Sequence, residues 1–330
     1  MKKAKKENEK KRRKFILLWI LLLSAGIFAT TIYAWFSSDL KVNINSIDIH
    51  IETKAGVQVS ANGVNWSNTI TKEDIVGAKN NSYPNATNQI PETLGGCSTD
   101  GTAYGATMNM FYGYTREREK DVYYLNAEKQ TEINCFGDQE CQGRRFIAFD
   151  LFVLVNENSY MVITPASYVI NKSDQIEGGE NSARIAFVNL GTTTDTVNSA
   201  QAQYLANANG SIIWEPNYDT HTETGVLNAL NVYGLTTSQT GAPRLPYRGI
   251  NQEIKGSGVL LTETHLSPYF SPVNPQVATV KNFADDQDLI NLPKGITKLR
   301  IYFWLEGQDV DCENEITGGE LEFKLELAVK

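Results

Sequence analysis

Apolar and polar residues alternate with a period of two through much of this 330-residue chain, the pattern of strands with one buried face. The final segment is the clearest case. Leu321, Phe323, Leu325, Leu327 and Val329 share one face, and Glu322, Lys324 and Glu326 the other, which predicts a half-buried strand. Upstream, Leu299, Ile301, Phe303 and Leu305 alternate with Arg300, Tyr302 and Trp304, and Gly318-Gly319 lies in the connection. The two segments together suggest an antiparallel pair. Near the start, Val42 and Ile44 occupy even positions but Ile47, Ile49 and Ile51 odd ones, so a bulge at Asn45-Ser46 is needed to keep one buried face. Asn62-Gly63, between Val57–Ala61 and Val64–Trp66, is a type I′ hairpin signal. Phe146–Val155 is apolar on both faces apart from Asp150, as a central strand covered on both sides would be. After Asn156–Ser159 the chain returns through Tyr160–Ile163. Arg184–Leu190 and Val259–Leu261 are two further strand candidates.

Two stretches, about residues 75–140 and 191–256, are rich in Asn, Gly, Ser and Thr without a sustained period, and read as long insertions. Short helices are expected at Ser199–Ala208 and at Thr115–Asp121. No alternation of long helices with strands is visible, so the fold class is mainly β: an antiparallel β-sandwich rather than an α/β fold.

The segment before these strands changes the picture. Residues 1–14 hold nine Lys or Arg against two Glu, and Phe15–Phe36 carries no charge. As a helix those 22 residues span about 33 Å, enough for a hydrocarbon core of roughly 30 Å. The basic flank stays in the cytosol. The chain therefore divides into a cytoplasmic basic leader (1–14), a transmembrane helix or signal-peptide core (15–36) and an extracellular β-sandwich domain (37–330). Its length favours retention of the segment as a single-pass anchor with an extracellular C-terminus; Ala34 offers a small residue for signal cleavage and secretion instead. Residues 37–330 keep 21 Lys or Arg against 36 Asp or Glu, about −15 in net charge, a surface that repels nucleic acid. All four cysteines lie in this part, where oxidation is permitted. The five-residue spacer between Cys135 and Cys141 can turn, so the favoured pairing joins those two and leaves Cys97 for Cys312.

Thr31-Ile32-Tyr33-Ala34-Trp35-Phe36-Ser37-Ser38-Asp39 resembles the signal-peptide end of TasA/camelysin-type surface proteins of Gram-positive bacteria. The run Ile301–Cys312, with Trp304-Leu305-Glu306-Gly307-Gln308-Asp309-Val310-Asp311-Cys312 at its end, is similar to a pattern in uncharacterised Firmicute surface proteins with that N-terminus. The resemblance covers about 60 residues at the two ends. It implies a jelly-roll sandwich exported by the general secretory route, in some relatives assembled into extracellular fibres.

Candidate chemistry adds little. His50, His221 and His265 are far apart in sequence, and neither His-Glu-x-x-His nor Gly-x-Ser-x-Gly occurs, so hydrolase chemistry lacks its partners. Asp309, Asp311, Glu313, Glu315 and Glu320 fit positions 1, 3, 5, 7 and 12 of a calcium-loop count, but Asn314 stands where that loop needs Gly and the flanks read as strands. An acidic, solvated loop is the expectation. Trp66, Trp214 and the tyrosines Tyr104, Tyr112, Tyr114, Tyr123 and Tyr124 could stack sugars, which makes an adhesin or carbohydrate-binding module the alternative. The leading expectation is a noncatalytic cell-surface or biofilm-matrix structural protein, with no catalytic residue, cofactor or metal. It is anchored by its N-terminal helix or released to assemble by strand addition. Its partners are then the membrane, further copies of itself or other surface and matrix components, and no nucleic acid.

Overall fold

The computed structural model describes residues 41–52, 57–120, 122–173, 178–194, 199–233, 244–245, 247–312 and 316–330. The basic leader and the apolar segment 15–36 lie outside these residues. Among the described residues no helix is long and apolar enough to cross a membrane.

The chain is mainly β. Ten strands carry its two large sheets: β1 (Val42–Glu52), β2 (Val57–Ser60), β3 (Ile147–Val155), β4 (Ser159–Ile163), β5 (Tyr168–Asn171), β6 (Ala183–Thr193), β7 (Ile212–Glu215), β8 (Gln287–Leu292), β9 (Gly295–Glu306) and β10 (Glu320–Val329). One sheet runs β8-β4-β10-β1, with β5 continuing β4 along the same edge of β10. The other is centred on β3-β9-β6-β7, with β2 antiparallel to β3. The odd residues of β3 and β9 pack against the odd residues of β10 in one core. Phe303 meets Phe323 edge-on across it, with ring centroids 5.1 Å apart.

The expected pairing of the last two segments is therefore corrected. β9 and β10 do not pair; they lie in opposite sheets and face each other through the core. The reason is that β9 is buried along its whole length and takes β3 and β6 as its two neighbours. The connection 307–319 is long enough to cross the roughly 10 Å between packed sheets. The β3–β4 connection crosses in the same way, as does the short Pro293-Lys294 link from β8 to β9. Gly295 is required at that crossing. Its φ is +129° and a Cβ there would sit 2.0 Å from the Thr193 carbonyl oxygen.

The bulge expected in β1 is present: β1 pairs in parallel with β10 from Asn43↔Glu320 to Glu52↔Ala328, and the register shifts between Ile44 and Ser46. The tight hairpin at Asn62-Gly63 is not formed. A wider turn leads from Ser60 to Ser67, joined to the strand by a single Val59↔Ser67 bridge. Its shape is set by the Asn62 side chain, whose Oδ1 accepts the Val64 and Asn65 N–H groups at 2.9 and 2.8 Å, an alternative to a backbone-closed turn.

The two insertions are structured. Instead of a helix at 115–121, Met110–Glu119 and Val122–Gln130 form a hairpin that Ile254–Leu260 extends. Alternating Tyr112, Tyr114, Arg116 on one side and Phe111, Leu125, Ala127 on the other give it two faces, and the second face has its own small core. The helix expected at 199–208 spans Ser199–Gln203. Parts of both insertions cover the outer face of the β3-β9-β6 sheet, where Met108, Met110, Ala208, Ile213 and Tyr247 bury Phe146, Tyr302 and Trp304, while Ile75, Ile90 and Leu94 of the first join the inner core and β7 of the second joins the sheet itself. The result is three layers, with β9 in the middle one.

Candidate functional site

A strand in a middle layer has no solvent face, so the even residues of β9, Ile296, Lys298, Arg300, Tyr302, Trp304 and Glu306, are all buried. Buried charge must find opposite charge and hydrogen bonds. Two clusters result. In the first, Asp150 stands directly across from Arg300 in the β3–β9 register. The Arg300 Nε donates to Asp150 Oδ1 at 2.8 Å, Lys298 Nζ lies 3.5 Å from Oδ2, and the Tyr83 hydroxyl donates to Oδ2. Burial alone would raise the Asp150 carboxyl; Arg300 and Lys298 outweigh it and hold it below the usual carboxylate range. Burial, aided by Arg300, pulls Lys298 down. Tyr302 donates to Glu132 and accepts the Met108 N–H at 3.0 Å.

The second cluster is built on the Trp304–Cys312 motif. Arg184 on β6, the register partner of Trp304, is 1 % exposed. Its guanidinium donates to Glu215 at 2.6 Å, to Asp309, and to the carbonyls of Asn181 and Ala183. Its Cζ lies 5.0 Å from the centre of the Tyr247 ring. Arg244 takes the other Glu215 oxygen. Asp311 accepts from the Thr222 N–H and hydroxyl, each at 2.9 Å, and meets His221 Nδ1 at 2.8 Å. This contact needs Gly225, since a Cβ there would lie 2.0 Å from Asp311 Oδ1. The second His221 nitrogen, Nε2, is buried without a hydrogen-bond partner among the described residues.

Glu306 accepts the Trp304 indole N–H at 3.1 Å and the Gln308 N–H at 3.2 Å. Burial pushes its carboxyl up to about 7, against the opposing hydrogen bonds and Arg184. Burial likewise raises Asp309, with Arg184 opposing and Asp311 adding to the rise. His221 is raised despite its burial, because Asp311, Asp309 and Glu215 favour the imidazolium. The cluster thus ties the end of β9 to both β6 and the second insertion, with Glu306, raised to about 7, as its group poised to change protonation near neutral pH.

The expectation of an acidic, solvated loop fails at Asp309 and Asp311, which are 8 % and 1 % exposed. Their oxygens are spent on Arg184, His221 and Thr222. Glu320 is exposed at the start of β10, and Glu313 and Glu315 lie outside the described residues. Among the described residues no group of three His, Cys, Asp or Glu is placed to hold a metal. His265 contacts Thr262 at 2.7 Å on an exposed turn, remote in partners from His221; the His50 side chain is not among those described.

A disulfide joins Cys135 and Cys141. The second pair is not bonded in this structure: Cys97 and Cys312 are separate buried thiols. They are neighbours all the same, since the Cys312 Sγ is 3.8 Å from the Cβ position of Gly96. Burial raises both thiols. Of the aromatics singled out for stacking, Trp214 is core, edge-on to Phe283 with its N–H on Thr279. Tyr112, Tyr114 and Tyr124 lie under Arg145, Arg116 and Arg118, and Tyr104 is 68 % exposed.

Arg184, Glu215, His221 and Arg244 carry no sequence signal of their own, being single charges in loops or at strand ends. Asp150 did carry one, as the charged position within an otherwise apolar strand. No family model, curated protein or solved structure matches this chain.

Proposed function

We propose that the chain is a noncatalytic cell-surface or matrix structural protein, held to the membrane by residues 15–36 or, once cleaved there, joining other copies by strand addition. The resemblance to TasA/camelysin-type jelly-roll proteins belongs to the same proposal. The observation that carries it is the placement of β1. This strand follows the apolar segment and pairs in parallel with β10 along one edge. On its other edge only Val42 and Asn43 pair, with Leu94 and Thr93. Beyond Ile44, whose N–H reaches the Glu92 carbonyl, that edge has no strand partner among the described residues. An open strand edge is a template for another chain. The tight pairing of charged groups in both clusters supports a scaffolding role, since their donors and acceptors are largely spent on one another.

N-terminal sequencing of the native protein separates the two modes. A start within residues 1–14 identifies the tether; a start between Trp35 and Ser38 identifies release, in which case sedimentation above the monomer that a peptide of residues 41–52 disperses identifies assembly. A tag at Lys330 that resists protease in intact cells overturns the surface location altogether.

A further inference from the structure

Where the two sheets part, at the side bounded by β4 and β8 in one and β6 and β7 in the other, the structure contains a cavity of about 380 Å³ that opens to solvent. Its floor is the sandwich core itself: Phe187, Ile212 and Leu289 line it, and Phe187 and Leu289 are 1 % and 4 % exposed. Its rim is polar but uncharged. Tyr160 and Asn291, directly opposed in the β4–β8 register, stand on one side, and Asn189 and Ser211 on the other. Tyr160 is 40 % exposed and is among the residues that line the opening. Asn189 spends its carbonyl oxygen on the Gly191 N–H at 2.9 Å, so its amide hydrogens are the groups it can offer. Ser211 donates to the Gly101 carbonyl at 2.7 Å, so lone pairs are what it can offer.

We infer that this cavity binds a neutral sugar residue. Its size falls in the range of small-molecule sites. Among the described residues the lining holds no charged side chain, so a charged ligand would lose water without recovering an opposite charge. Amides and a hydroxyl both give and accept hydrogen bonds, as sugar hydroxyls do. The apolar floor of Phe187, Ile212 and Leu289 suits the C–H faces of a pyranose. The site would act alike in a tethered and a released protein, so its test is independent of how the chain is held.

The full chain, purified in a polyoxyethylene detergent that carries no sugar headgroup, is examined by saturation-transfer NMR. The probes are the methyl glycosides of glucose, galactose and N-acetylglucosamine, with methyl glucuronide as the charged counterpart. Transfer to the ring protons of at least one neutral glycoside is expected, with no signal from the glucuronide. Tyr160→Ala and Asn291→Ala should each cut that transfer at least fivefold at an unchanged melting temperature. Silence from all three neutral probes, equal transfer in both variants, or a glucuronide signal as strong as the neutral ones overturns the assignment.

Discussion

Replacing Glu306 by Gln tests whether the cluster at the end of β9 stores a proton. The Gln side chain resembles the protonated carboxyl: it keeps one acceptor oxygen, for either the Trp304 or the Gln308 N–H, which bond to different oxygens of Glu306, and it cannot ionise. In the fold the Glu306 carboxyl is raised from 4.5 to about 7, chiefly by burial. A carboxyl raised on folding makes the native state bind more protons than the unfolded chain between those two values, so stability falls as pH rises through that window. With 1.36 kcal/mol per unit, the full effect is about 3 kcal/mol, of which roughly 2.5 kcal/mol accumulates between pH 5 and pH 8. For a domain of this size that corresponds to roughly 5–10 °C in melting temperature. His221, also raised, is fully stabilising below its ordinary value and loses that contribution as pH rises through its folded value, so it adds to the same trend in wild type and variant alike. The difference between the two proteins isolates Glu306. Melting curves of the full chain and of Glu306→Gln, taken in steps from pH 5 to pH 8, should converge at the acid end and separate towards pH 8 with the variant the more stable. Parallel curves would refute the buried, proton-holding carboxyl.

Arg184→Met leaves Glu215 and Asp309 buried with one cation fewer, and should cost about 3–5 kcal/mol of unfolding free energy in denaturant titration. Gly295→Ala should prevent the β8–β9 crossing and give little folded protein, because the new methyl meets the Thr193 carbonyl. Gly143→Ala, with φ +74° but open space around it, should cost only about 1 kcal/mol by the same measurement. Cys135→Ser with Cys141→Ser removes a short loop closure and should lower stability by about 2 kcal/mol, read as a shift in denaturant midpoint at unchanged slope.

Strand positions were legible wherever one side faces the core and the other does not. β10 shows this in its buried odd residues, and the parity change in β1 located its bulge. Partnership between strands was less legible. Leu299–Leu305 and Leu321–Val329 have patterns that fit a hairpin equally well, and only the burial of both faces of β9 decides for opposite sheets. Arg300, Tyr302 and Trp304 looked like a solvent face because nothing in their own segment announces the insertions that cover them. Those insertions resisted reading because their strands gain stability from contacts far along the chain, such as Ile254 against Ala127. The charged stretch from Thr115, where a short helix was expected, instead runs to the tip of the Met110–Glu119 and Val122–Gln130 hairpin, for the same reason. In the cluster, the Trp304–Cys312 run stood out as a motif, but His221 and Arg184 reach Asp311 and Asp309 from 90 and 125 residues away, a distance over which local pattern carries no information.

The parallel alignment of β1 and β10 has a mechanical meaning. Both strands begin at the same end of the sheet, so a pull on the chain before Val42 and a counter-pull beyond Val329 drag them lengthwise past one another. The load then falls on all their paired positions at once rather than peeling them one by one. A chain gripped at its two extremities thus meets its most resistant junction first, and the layers behind it stay unloaded until that junction slips.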